Sequence, residues 1–516
     1  MKLKLLKLHY FLLVTLLCPY IGNTIENPPN HLGINEAIAI TLENQKEIQI
    51  HNDEIDVQSG ILRQTAGPFD PIVDGTWKDT YSYIYQTSFP PDRTFRARTN
   101  NSQYTANLSK KNRVGTLINL SSQISNIHTK SQPPPLNTKS SPLQISFQID
   151  QPLLRDFLYG LDAMIEQAQK LEVSAAWYSA AFFISNRITN TVINYWNMVA
   201  FKKFIQIQEE TLQEFFVLTD RIKKLIEGGM LAATDINQPL AQIATQELQI
   251  LIAKQQYYNS IQSLKFAMGI GDQCTTFDSD VDADDFPPIQ EEYLLKNLSC
   301  PEMMKIIGIL SDRRLDIIAS SLHSASISFL LKGSKNSALP RLDIFGGVNL
   351  DENTIETRPP TSFYNRQFDV FGGVIFSTPI FNDKALGLVQ QRNAELNQSQ
   401  LQTQLLKEQA AIQFFQYWKS NLYLISELKQ ADIAIERDRI LFEKELKKLN
   451  AGYSTVFVVI DFYNLLTNSL LAKADLYRQY AQNIVQFRFI TGTLLKLEKC
   501  SNEVEIEPVT IWPKEL

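Results

Sequence analysis

The stretch LQISFQIDQPLLRDFLYG, residues 143–160, changes its period part-way along. Leu143, Ile145, Phe147 and Ile149 alternate with Gln144, Ser146, Gln148 and Asp150. That spacing places apolar side chains on one face of an extended strand and polar ones on the other. Pro152 interrupts the alternation, since proline cannot donate to a strand ladder. From Met164 the chain then runs without proline to the glycine pair Gly228-Gly229. A helix of that length, rising about 1.5 Å per residue, reaches on the order of 100 Å. A two-faced strand therefore leads straight into a very long helix.

Seven-residue spacing marks what that helix packs against. Ile205, Leu212, Thr219 and Ile226 fall seven apart, with Phe215 and Ile222 between them. After the turn Ile236, Ile243, Ile250, Tyr257 and Leu264 keep the interval, flanked by Leu240 and Ile261. Near the C-terminus Val459, Leu466, Tyr480 and Phe487 form one row, broken by Lys473, and Tyr463, Leu470, Tyr477 and Ile484 form its companion. Such rows predict helices lying side by side with coiled-coil geometry. A soluble helical bundle would show the same rows.

The pattern occurs twice. QPLLRDFLYG before the first long helix has its counterpart in PIFNDKALG from Pro379, and Tyr195-Trp196 in Tyr417-Trp418. KKLIEGGM and ELKKLNAGY close the two helices, with Gly229 and Gly452 in matching places. KEIQIHNDEI around Ile48 resembles RRLDIIASSL around Leu315. The expected division is a leader over 1–24, a first repeat over 32–285, a second over 286–500, and a tail over 501–516. An acidic, turn-rich seam from Gly269 to Pro288 separates the halves.

Three further segments alternate. Trp77, Asp79, Tyr81, Tyr83 and Tyr85 face one way, with Lys78, Thr80, Ser82, Ile84 and Gln86 between them. Leu342, Ile344, Val348 and Leu350 form another set, and Phe368, Val370, Val374 and Phe376 a third. A soluble β-sandwich shares this alternation. The even placement of two strand pairs in two helical repeats points elsewhere, to four membrane-crossing strands per copy. Four strands cannot enclose a channel, and an open sheet edge in lipid leaves N–H and C=O groups unsatisfied. Several copies must then pool their strands around one axis. Tyr104 to Ser109 and Arg113 to Ser125 also alternate, as a hairpin in excess of this count and without an assigned place.

Composition narrows the function. The 516 residues carry a net charge of −6 and no long basic stripe, which argues against nucleic acid as a partner. Lys2, Lys4 and Lys7 followed by the apolar run Leu8 to Leu17 predict an export leader. Beyond it three cysteines remain, Cys274, Cys300 and Cys500, and the first two are placed to pair in an oxidising compartment. Bland unpaired thiols fit equally well. No later window reads as a membrane-spanning helix. With five histidines, and no H-E-x-x-H, G-x-S-x-G or phosphate-binding loop, no catalytic, cofactor or metal residues are expected.

With these features in place, the chain resembles the TolC-like outer-membrane efflux family over most of its length. LGINEAIAITLENQKEI from Leu32, FQIDQPLLRDF from Phe147, GGMLAATDI from Gly228 and NAGYSTVFVVID from Asn450 carry the resemblance. It implies a mainly α fold, a duplicated long-helix tunnel with four strands per protomer in a shared trimeric barrel of twelve. It implies an outer-membrane homotrimer with a periplasmic tunnel, set in outer-membrane lipid. Its partners would be a periplasmic adaptor and an inner-membrane transporter, and it would act as a passive exit duct in efflux or type I secretion, not as an enzyme. A non-channel periplasmic or surface scaffold of helices is the alternative. Gly229, Met230, Thr234 and Asp235 match the family's first adaptor-docking tip and Gly452 the second. Of the usual pair of gate aspartates, Val458 takes the first place and Asp461 the second; Ser454 stands where some members carry arginine.

Overall fold

The computed structural model describes residues 2–4, 32–87, 94–132, 136–270, 281–289, 300–358, 361–497 and 503–506. Most of the expected leader and tail, with Cys274 and Cys500, lie outside these residues. In chain order the elements are β1 (Lys2–Lys4), α1 (Ile34–Asn44), α2 (Lys46–Ala66), β2 (Ile72–Thr87), β3 (Thr94–Lys111), β4 (Leu117–Gln132) and β5 (Leu136–Pro152). Then follow α3 (Leu161–Glu227), α4 (Asn237–Met268), α5 (Cys300–Arg313), α6 (Leu315–Ser337), β6 (Arg341–Arg358) and β7 (Thr361–Ser377). The chain ends with α7 (Asp383–Asn450), α8 (Val456–Ile490), β8 (Leu495–Leu497) and β9 (Glu503–Ile506). The fold is mainly α, with one large sheet and a small one of order β1-β9-β8.

The large sheet corrects the strand count. It has six antiparallel strands in the order β2-β3-β4-β5-β6-β7, against the four that the sequence pattern accounts for. The surplus hairpin is β3 and β4, inserted between β2 and β5 as full members. The sequence shows this hairpin only over Tyr104 to Ser109 and Arg113 to Ser125 and gives it no place, because the rest of β3 (TFRARTNNSQYTANLSKK) is polar on both faces. Its pairing comes from its neighbours' edges, not from its own period. Strands β5 and β6 join the two halves of the chain, from Asn137↔Arg358 to Pro152↔Asp343. Strands β2 and β7 are the ends of the order, and each leaves one edge without a partner among the described residues.

The chain divides into two compact units that cut across the repeats. One comprises Ile55–Ala176 and Ser320–Thr403 and holds the whole six-stranded sheet. Here the β3–β4 turn is tied to the start of α3. Lys111 Nζ donates to Asp162 at 2.7 Å, and Arg113 makes a two-pronged contact with Glu166 at 2.6 and 3.0 Å. The Arg113 hydrogen bond holds the Glu166 carboxyl below its ordinary range. The strand-to-helix turn after β5 puts Asp156 and Leu158 at positive φ, 67° and 58°. Asn336 of α6 steadies it by accepting from the Asp156 amide at 2.7 Å. The turn after β7 places Asn382 at φ 51° in the corresponding position.

The other unit comprises Met1–Glu54, Trp177–Ala319 and Gln404–Leu516. The heptad rows are its seams: Phe215, Ile222, Ile243, Ile250, Leu264, Val459, Leu466, Tyr480, Ile484 and Phe487 are all buried. By length and hydropathy α8 passes as a membrane span, with a mean hydropathy of 1.2 over its most apolar window, contrary to the expectation of none. Its apolarity has another use, because those heptad residues fill the bundle core.

The duplication reaches into the caps. Gly269 (φ +77) stops α4 and Gly492 (φ +65) follows α8. A Cβ on Gly269 would lie 2.7 Å from the Asn44 carbonyl oxygen, at the α1–α2 break. A Cβ on Gly492 would lie 3.1 Å from that of Arg313, at the α5–α6 break. Each glycine thus allows a helix end to abut a break in another helix. Gly229 has a similar φ of +75 but open space around it. Gly229→Ala should therefore cost about 1 kcal/mol, the left-handed strain alone, and Gly269→Ala on the order of 3 kcal/mol. Denaturant unfolding of the detergent-solubilised protein measures both, and the reverse order would refute this packing.

Candidate functional site

Two surfaces carry the functional geometry, the faces of the sheet and the helical tips. Register sorts the sheet. One row across all six strands reads Val73, Leu108, Leu120, Phe147, Val348, Val370. The neighbouring row, on the opposite face, reads Asp74, Asn107, Ser121, Ser146, Asn349, Asp369. Each row is uniform because side chains alternate strictly along every strand. The apolar face is uncovered: Val73, Trp77, Leu108, Leu120, Phe147, Phe368, Val370, Val374 and Phe376 are all exposed. A contiguous apolar surface of this size is not a feature of soluble monomers. On β5 it runs from Leu143 to Ile149 and on β7 from Phe368 to Phe376. At ~3.3 Å per residue and ~40° of tilt that is a band about 18–23 Å tall, close to the band of a membrane barrel.

The tips lie in the helical unit. At the end of α3 the Gly229 amide donates to Ile226 O at 2.9 Å and Met230 to Leu225 O at 2.9 Å. At the end of α7 Gly452 donates to Leu449 O at 3.0 Å and Tyr453 to Lys448 O at 2.9 Å. Both are the same helix-terminating motif with a left-handed glycine, φ +75 and +78. One apolar cluster underlies both, since Leu225, Ile226, Leu231 and Ile236 pack with Leu446, Leu449 and Val456. The structure thus brings Gly229, Met230, Thr234 and Asp235 into the same end of the bundle as Gly452. Met230 and Thr234 are exposed, while the half-buried Asp235 accepts from the Ala232 amide at 3.2 Å. Two residues beyond the sequence expectation stand out most at this end, Tyr453 at 85% and Phe457 at 62% exposed. Their signal was an aromatic residue on each side of the Thr455 cap.

Asp461 is exposed on α8 and has no ion-pair partner among the described residues. It shares its face with Phe457 and Leu465, one turn to either side, both exposed. Ser454 has an occupation of its own. Its hydroxyl donates to Glu445 Oε1 at 2.6 Å, and Lys448 Nζ reaches Glu445 Oε2 at 2.9 Å. These contacts, the Ser454 bond foremost, hold the Glu445 carboxyl below its ordinary range. Below the tips Tyr463 packs edge-on against Phe215 at 5.2 Å, and burial pushes its hydroxyl up to about 12.

Comparison with solved structures decides the fold. The chain superposes on the outer-membrane protein VceC of Vibrio cholerae with a TM-score of 0.61 at 15% identity, over 89% of this chain and 96% of that one. It matches the CmeC outer-membrane channel of Campylobacter jejuni at 0.59 and 14%, over 89% and 85%. It matches the open state of the MtrE outer-membrane channel of Neisseria gonorrhoeae at 0.55 and 10%, over 89% and 88%. The chain has the TolC-like outer-membrane channel fold. No family model matches the sequence, and no curated protein does.

The Glu445–Ser454 contact gives the second tip a pH dependence. A carboxyl held below its unfolded value adds stability above about pH 4.3 and loses it as the pH falls through its folded value. Amide exchange at residues 449–456, corrected for intrinsic rate, should accelerate below about pH 4. Ser454→Ala should move that acceleration to higher pH, and an unchanged profile would remove Ser454 from the tip's anchorage.

Proposed function

We propose that this chain is one subunit of an outer-membrane exit duct, in which copies close their sheets into a single barrel and align their helices into a periplasmic tunnel. The observation that carries the reading is the open sheet, apolar and uncovered on one face, polar on the other, and unpaired at β2 and β7. With six alternating strands, β7 of one copy meets β2 of the next antiparallel, so identical subunits join without a seam. The TolC-like fold favours three copies. Three copies of six strands give a barrel of eighteen, wider than the twelve implied by the sequence resemblance and in the size class that leaves an aqueous channel. The halves 32–285 and 286–500 are read as a duplication, and 1–24 as the leader that exports the chain.

No motif for energy conversion occurs, so the duct is passive and transport is driven by a partner. The tips at Gly229 and Gly452 are the surface for a periplasmic adaptor coupled to an inner-membrane transporter. Exposed Met230, Tyr453 and Phe457 supply apolar anchors there. Asp461, on an unpartnered helix face near the tips, is assigned to the lumen, where symmetry would gather one carboxylate per copy into a ring that attracts cations. Opening is a shift of the helices behind the tips, biased by adaptor contacts.

Two measurements test this. In planar bilayers the purified protein should be nearly closed, and Asp461→Ala should weaken cation block severalfold; unchanged block removes Asp461 from the gate. In folding assays with lipid vesicles Val370→Arg should cost about 2–4 kcal/mol and Asn349→Lys far less. Equal costs would mean that the apolar face does not meet lipid.

A further inference from the structure

The sheet does not stop where its apolar band stops. Its strands are 16–18 residues long, well beyond the ~9–11 needed to cross a membrane. Past the band, on the same face and away from the helices, the rows change character. One reads Tyr83, Arg98, Lys130, Asn137 and the next Tyr85, Arg96, Gln132. The guanidinium of Arg98 lies over the Tyr83 ring and that of Arg96 over the Tyr85 ring, each 5.6 Å from the centroid. Arg96, Arg98 and Lys130 are exposed. None of the three has an ion pair among the described residues.

Three features separate this patch from an ordinary solvated edge. Arg98 and Lys130 are direct cross-strand partners, a like-charge pair that weakens a sheet unless an anion lies between. The carboxylates on this face lie in other rows: Glu352 holds Arg366 at 3.1 Å, Glu356 is in register with Lys139, and Asp79 stands two rows nearer the apolar band than Arg98. Moreover, the opposite face at the same height is uncharged. Its rows read Thr80, Asn101, Ile127, Ser140, Ile355, Phe363 and Ser82, Thr99, Thr129, Thr138, Thr357, Thr361. Charge needed only for solubility would not choose one face.

We propose that Arg96, Arg98 and Lys130 bind sugar-borne phosphates of a glycolipid in the leaflet that surrounds the loop end of the barrel. The proposal rests on the band lying in a membrane. Height selects the ligand. Tyr83 lies six residues beyond Trp77, where the apolar band ends on this face of β2. That is ~20 Å along the strand and ~15 Å in height at a barrel's tilt. A phospholipid headgroup layer adds only about 5–7 Å to each side of the hydrocarbon, so its phosphates fall short. Phosphates on a sugar headgroup reach the patch, where two arginines offer forked donors and the tyrosine rings hold them in place.

The test uses the full-length protein in phosphatidylcholine nanodiscs doped with rough lipopolysaccharide, either intact or stripped of phosphate by hydrofluoric acid. Native mass spectrometry counts the glycolipid retained per protein. The intact form should be retained on the order of tenfold better than the stripped form, and rising salt should erase the difference. The variant Arg96→Gln/Arg98→Gln/Lys130→Gln should bring the two forms level while conductance stays unchanged. Equal retention of the two forms by the unaltered protein, or full retention by the variant, overturns the proposal. Failure of the unaltered protein to enter neutral nanodiscs and conduct would instead remove the membrane reading, and this proposal with it.

Discussion

The constraint on which everything else depends is the hydrogen-bonding demand of a strand edge. Each edge of the six-stranded sheet presents a row of N–H and C=O groups, and lipid offers them nothing. The apolar row from Val73 to Val370 requires lipid or a covering layer, and none of the described residues covers it. The proposed pairing of β2 and β7 between neighbouring copies meets both demands. On the proposed function the oligomer is a condition of the sheet's existence in a membrane, and the polar row from Asp74 to Asp369 is the lining of a lumen.

The helical part answers a different demand. A bundle of long helices must end and turn without leaving carbonyls unsatisfied, and it must do so twice. Four left-handed glycines solve this in two equivalent pairs. Gly229 and Gly452 terminate the outgoing helices in open space, where backbone freedom is all that is required. Gly269 and Gly492 end the returning helices against Asn44 and Arg313, where the absence of a Cβ also permits contact. The first pair therefore tolerates a Cβ sterically and the second does not. A single apolar cluster lies beneath both tips.

The inserted hairpin is anchored within the unit that holds the sheet. Strands β3 and β4 widen the sheet, and their turn is fixed to α3 by Lys111 and Arg113. Their weak apolar pattern follows from position. Sandwiched between β2 and β4, β3 needs its backbone more than its side chains. At its loop end it carries arginine where a lipid-facing strand would carry leucine.

What the sequence determined by itself was whatever has a local period. The heptad rows, the alternation of β5, β6 and β7, the two glycine turns and the recurrence of one pattern in two halves are all properties of neighbours within a few residues. They sufficed for the fold class and the tips. The tertiary structure alone decided what depends on distant partners. It set β3 into register between β2 and β4, joined β5 to β6 across some two hundred residues, and engaged Ser454 with Glu445. Backbone pairing carries no side-chain signature, since any residue's N–H and C=O can serve. A strand whose identity rests on pairing is therefore legible only once its neighbours are in place.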